Sequence, residues 1–169
     1  MPIAATDDVF LEYGKAMFEA QSVEQSIENF AWAMLKARGE GSRSKRDWLE
    51  GQTVGAIWRL VEPECREHDE VWTGNIKVFV RLRNYVAHHF FLDAAEMVNN
   101  PELAGQALTY LRDFETACAI SNYHLRLLID AIGLNLAARF PISVEHSLAK
   151  QRGIDADTVL TFRSFKANA

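Results

Sequence analysis

Proline and glycine are scarce in this chain, 4 and 9 residues of 169. So few breakers leave room for few loops, which implies long elements and favours helices. Cysteine is scarcer still. Cys65 and Cys118 are the two present, far apart and without a CxxC pair. That spacing argues against a disulfide framework or zinc knuckle and makes a reducing cytoplasm the expected setting. No stretch approaches the ~18 uninterrupted apolar residues of a membrane span. The opening Met1-Pro2-Ile3-Ala4-Ala5-Thr6-Asp7-Asp8 lacks the basic region and apolar core of a secretory signal. Positive charge is also short: 18 Lys and Arg face 23 Asp and Glu, a net charge of −5. A nucleic-acid binder held by bulk charge is thereby excluded. Apolar residues make up 49% of the chain, too many for a disordered protein. A single core at this size buries roughly two-thirds of the unfolded surface, enough to need no metal or disulfide.

Hydrophobic periodicity supplies the elements. Val9, Tyr13, Ala16, Ala20, Val23, Ile27, Phe30 and Met34 recur in alternating steps of three and four, the seam of one long helix. Thr6 is its expected N-cap, Asp7 and Asp8 suit the positive end of its dipole, and Gly39 and Gly41 stop it. Arg38 to Arg46 reads as a polar, basic loop. A shorter helix is expected from about Trp48 to Val61, with Pro63 ending it or opening the next. The acidic stretch from Glu62 to Glu70, with Cys65 inside it, reads as a solvated turn. A third helix begins between Val71 and Asn75 and continues to Asn99-Asn100-Pro101. The last runs from Pro101 to Arg139 along Leu103, Ala107, Leu111, Phe114, Cys118, Ser121, Leu125, Leu128, Ile132 and Leu136. The expected fold is therefore all-α, an antiparallel bundle of four to five helices over residues 1–140. Residues 141–169 form a C-terminal tail whose Val159, Leu160, Phe162 and Phe165 pack on the body or on a partner. Trp32, Trp48, Trp58 and Trp72 read as packing residues, and Cys118 as a small core residue.

One constellation carries chemistry. Within Arg81-Leu82-Arg83-Asn84-Tyr85-Val86-Ala87-His88-His89-Phe90-Phe91, the seam Trp72, Ile76, Phe79, Arg83, Val86, Phe90 puts an arginine where an apolar residue belongs. A guanidinium there needs a carboxylate or an anion. Asn84 and His88 stand one turn apart on one face, which Arg81 and Lys77 extend. Arg83 and His88 diverge around the helix, and a break at the histidine would bring them closer.

Arg83-Asn84-x-x-x-His88 resembles the R-x4-6-H motif of HEPN domains, helical proteins that include RNase toxins and anti-phage effectors. The resemblance covers residues 81–91. It implies a homodimer in which two motifs face one another across a composite cleft, and a metal-independent endoribonuclease giving 2′,3′-cyclic phosphate ends, with no cofactor. Arg83, Asn84 and His88 would be the catalytic set. Histidine can act as base or acid near neutral pH, and arginine presents a fork that fits phosphate oxygens. Arg81 and Lys77 would bind RNA beside it, with Arg43, Lys45 and Arg46 as further phosphate contacts. An antitoxin or another protein partner is open. Phe90 stands where the antitoxin-paired branch often carries a tyrosine open to modification, so control at that position is not expected.

Two other readings compete. His89, Asp93 and Glu96, with His124 or His146, would form the metal site of a helical-bundle hydrolase. Alternatively the chain is a non-catalytic helical interaction module, with Arg83 paired to a carboxylate and the tail aromatics as a docking element.

Overall fold

The seam from Val9 to Met34 forms one helix, α1 (Thr6–Ala37). Every seam position but the half-buried Tyr13 is buried. Thr6 is the first helical residue rather than the cap. The computed structural model describes residues 6–134 and 149–168. Gly39 ends α1 with φ +79, a conformation that glycine adopts without a Cβ clash.

The basic stretch is not all loop. Ser42 accepts a hydrogen bond from the Lys45 amide at 3.3 Å and starts α2 (Arg43–Glu50). The segment holds only a short amphipathic turn, and Leu49 is its buried anchor. Thr53 caps α3 (Val54–His68), which runs straight through the stretch expected as an acidic turn. Val54, Ile57, Trp58, Val61 and Cys65 are all buried along one face. That apolar period outweighs the carboxylates, which simply fall on the solvent side. Pro63 lies inside α3 and ends nothing. Its missing N–H would have served the Arg59 carbonyl on an exposed face, where water can take over.

Asp69 receives the Trp72 amide at 2.8 Å and opens α4 (Glu70–His88). Helix α4 stops well short of Asn99. At His89 the backbone leaves helical geometry, φ −122 and ψ −24. A short helix α5 (Phe90–Asp93) and a 3-10 turn (Ala95–Asn99) follow. The break re-aims Phe90 inward, where it is fully buried and stacks on Tyr13 and Tyr110 at 6.2 and 5.8 Å. Asn100 then caps α6 (Pro101–Ile132), with Pro101 in the first turn, where its missing N–H costs nothing. Gly133, at φ +74, closes α6 earlier than Arg139. Leu136, Arg139 and Pro141 lie outside the described residues.

Side-chain pairs set the helix directions. Glu24 meets Arg83 while Tyr13 meets Phe90, so α4 is antiparallel to α1. Asn75 meets His124 and Tyr85 meets Tyr110, so α4 is antiparallel to α6 as well. One core fills the space between them, with Phe79 and Phe114 stacked at 6.4 Å. Residues 154–165 lie as a strap along α4 and α6, with a turn closed by the Thr158 amide on the Asp155 carbonyl. Its Phe165 is buried and its Phe162 half-buried, so these are not free docking aromatics. Among the tryptophans Trp58 is buried and Trp32 and Trp72 half-buried, whereas Trp48 is exposed on α2.

Candidate functional site

Arg83 sits on the flank of α4 that meets α1. Its side chain is 24% exposed, and its Nε donates to Glu24 Oε1 at 2.5 Å while Nη2 donates to Oε2 at 3.4 Å. The guanidinium is thus gripped side-on by one carboxylate. Its Nη1 donates to Asn84 Oδ1 at 3.3 Å. Arginine has five N–H groups. These three bonds leave two of them, one on each Nη, and such a pair forms the end-on fork that matches phosphate oxygens. Glu24 compensates the seam-placed cation and fixes where the fork points.

His88 is the last residue of α4 and is exposed, as are Asn84 and His89. The helix ends at the histidine because His89 and Phe90 turn towards the aromatic cluster. Asn84 is oriented by Arg83 rather than by His88. Tyr85, on the opposite flank, donates its OH to Asp93 Oδ2 at 2.6 Å and accepts the Phe165 amide at 2.9 Å. Burial and that carboxylate push the Tyr85 phenol up to about 12. Tyr85 therefore braces the turn from below and stays neutral.

The expected cationic strip is split. Lys77 reaches Glu62 on α3 at 3.4 Å. Arg81 lies over the Phe162 ring of the strap at 4.5 Å, while Arg83 faces α1. These three cations point to three different neighbours and form no single cleft within one chain. Of the α2 residues, Arg46 comes nearest to the site. It pairs with Glu28 at 3.2 Å, one turn of α1 beyond Glu24. Lys45 lies over Trp48 at 5.1 Å, and Arg43 stands exposed at the start of α2.

The metal constellation does not assemble. Asp93 is taken by Tyr85 and by Lys166 at 3.3 Å. His124 is wholly buried towards the other end of α4 and α6. Among the described residues no three His, Cys, Asp or Glu side chains gather around a metal position; His146 lies outside them. The two cysteines offer no nucleophile. Burial first, and Glu64 second, push the Cys65 thiol up to about 12, and burial raises Cys118 as well. Cys65 is thus inert chiefly because α3 buries it, and the neighbouring carboxylates add to the effect.

A second polar constellation was not legible as such. Asn75, 2% exposed, donates to His124 Nδ1 at 2.6 Å and to the Thr158 carbonyl at 2.7 Å, and accepts the Leu160 amide at 2.8 Å. That last bond fixes which end of the amide is oxygen. His124 Nδ1 is therefore an acceptor, and the ring's proton sits on Nε2, 3.0 Å from the Asp155 carbonyl. Trp72 Nε1 donates to the Ala156 carbonyl at 2.9 Å and Tyr110 OH to that of Arg163 at 2.6 Å. The strap is held by its main chain along its whole length.

Comparison with protein-family models, curated proteins and solved structures finds no match. No helix among the described residues is long and apolar enough to cross a membrane.

Proposed function

We propose that this chain is a HEPN-like, metal-independent endoribonuclease whose composite site is completed by a second copy. The observation that carries the reading is the Arg83 guanidinium bonded to Asn84, with His88 exposed one helical turn further along the Asn84 face. A guanidinium pinned by Glu24 keeps a two-donor fork for a phosphate, and an exposed imidazole ends the same helix. One His88 supplies one proton-transfer role. Two, from facing copies, supply both: one takes the 2′-OH proton as the 2′-oxygen attacks phosphorus, and the other protonates the leaving 5′-oxygen. The products are a 2′,3′-cyclic phosphate and a 5′-hydroxyl. Arg83 stabilises the charge that develops on the phosphorane oxygens.

Two features support a facing copy. Phe10, Leu11 and Phe18 leave an exposed apolar stripe on α1, 52%, 61% and 71% accessible. Phe10 stacks on Phe91 at 5.1 Å, three residues beyond His88. A stripe of this kind marks an association surface.

A second reading has its own observation. Glu24 satisfies Arg83 within one chain, which is what a non-catalytic interaction module would show. The two separate on product chemistry. With EDTA present, the ribonuclease reading expects RNA fragments ending in 2′,3′-cyclic phosphate. Intact RNA across several sequences, from protein shown to be dimeric, would leave the module reading in place. An antitoxin or other protein that covers the site fits the first reading and is tested by co-purification.

A further inference from the structure

The strap roofs a cavity on the far side of α4 from Glu24. It holds about 650 Å3 and is widely open to solvent, with Glu102, Gln106, Thr109 and Asp113 all exposed. That volume lies within the range of small-molecule sites. Its floor is apolar: Leu82, Phe114, Ala117 and Phe165 are all buried core side chains. Its roof is Val159, Leu160 and Thr161. The roof is pre-formed, because Asn75 holds the Leu160 amide and Tyr110 holds the Arg163 carbonyl. A ligand therefore need not order the segment that covers it.

The wall is one polar stripe of α6. Glu102, Gln106, Thr109 and Asp113 line the cavity at helical spacing. Neither Glu102 nor Asp113 has a hydrogen bond or ion pair from its carboxylate among the described residues, and Arg163 on the rim is the one cation lining the space. Two carboxylates against one guanidinium, around an apolar floor, select for positive charge on an apolar body. Gly105 sits between the two carboxylates and faces open space. A Cβ built there meets nothing within 4 Å, so a larger side chain can be placed at this position without a clash.

We infer that this cavity binds a small amphipathic amine, with its apolar body on Leu82 and Phe114 and its ammonium at Asp113. The site is separate from the Arg83 surface, so it stands whether or not the chain cleaves RNA.

Titration calorimetry on the full chain with 4-phenylbutylamine and with 4-phenylbutyrate tests it, since the two share a body and differ in head charge. The amine is expected to bind at least tenfold more tightly. Asp113→Asn should remove most of that difference. Gly105→Leu should abolish amine binding with an unchanged or raised Tm, because leucine fills the space and is the better helix former. The proposal is overturned if the amine gives no heat, if the two probes bind equally, or if both variants bind the amine as the natural chain does. Should leucine disturb α6, Asp113→Asn decides alone, being a change at an exposed position.

Discussion

Replacing Asn75 by alanine removes one side chain and releases three groups. The lost bonds measure 2.6, 2.7 and 2.8 Å, and the residue is 2% exposed. A typical bond contributes about 1 kcal/mol net, and a buried partner left unpaired costs about 1–3 kcal/mol. The three partners differ in what they can do next. His124 Nδ1 belongs to a ring with no exposure and cannot find water without local opening. The Thr158 carbonyl and Leu160 amide sit on the strap, which can peel towards solvent. One enclosed orphan and two net bonds sum to about 3 kcal/mol. For a chain of this size that is roughly 6–12 °C in Tm. Urea denaturation gives the total, and amide hydrogen exchange gives its place. Protection at Leu160 and Phe165 should fall by about two orders of magnitude, since each 1.4 kcal/mol is tenfold. Amides of α1 should follow only the global change. A loss below ~1 kcal/mol, with the Leu160 amide still protected, would refute the claim that this network latches the strap.

Other outcomes follow from the same structure. Burial holds His124 below its ordinary value of 6.5, against the smaller opposing effects of the Asp155 carbonyl and the Asp69 and Asp155 charges. The folded state thus binds fewer protons than the unfolded one as pH falls. Its contribution to stability is fully present above pH 6.5 and is lost as pH drops through the depressed folded value. Denaturation midpoints at pH 7.5 and 5.0 should show that fall, and a His124→Gln variant should not. Asn75→Asp places a carboxylate beside Nδ1 and should weaken or reverse the trend, readable by NMR titration of the ring. The Arg83–Glu24 pair is about one-quarter exposed on each side, so Arg83→Ala should cost only about 1 kcal/mol and leave a folded chain by far-UV dichroism. Phe79→Ala, at a site with no exposure, should cost about 3–5 kcal/mol in urea. Cys65 and Cys118 should react with a thiol reagent only as fast as the fold opens.

The long elements were legible because their apolar period is long. Eight seam positions between Val9 and Met34, and nine between Leu103 and Ile132, leave little choice of helix face. What failed were boundaries set by short or tertiary causes. Ser42 starts a helix in a basic stretch that has almost no apolar content to signal it. Glu62 to His68 is helical because Val61 and Cys65 are buried, and burial is decided by which helix packs there. The end of α4 at His88 depends on Phe90 finding Tyr13 and Tyr110, residues far away in the chain. At the candidate site, Arg83 announced itself as a cation on an apolar seam and so required a carboxylate. Glu24 could not be named, since nothing in the local pattern says which acidic residue of which helix lies opposite. Helical spacing places Lys77 and Arg81 on the face of Asn84 and His88, and all four are exposed. What the spacing could not show is that α3 and the strap flank this face and draw the two cations to Glu62 and Phe162. Asn75 left a weaker sign, a polar residue beside Ile76 on a core-facing turn. Of its partners, His124 lies far along the chain in α6, and the other two lie more than eighty residues on, in a segment with no periodicity.

The central claim rests on His88 as a proton-transfer group on the helix that carries the Arg83 fork. The most direct test is the initial rate of RNA cleavage in EDTA by the natural chain and by His88→Ala, with matched dichroism spectra and matched dimer fraction. Because His88 is exposed, the substitution should leave the fold intact. A fall of about 10²-fold or more is expected for a lost general acid or base. Cleavage within threefold of the natural chain, or none from either protein, would contradict the assignment.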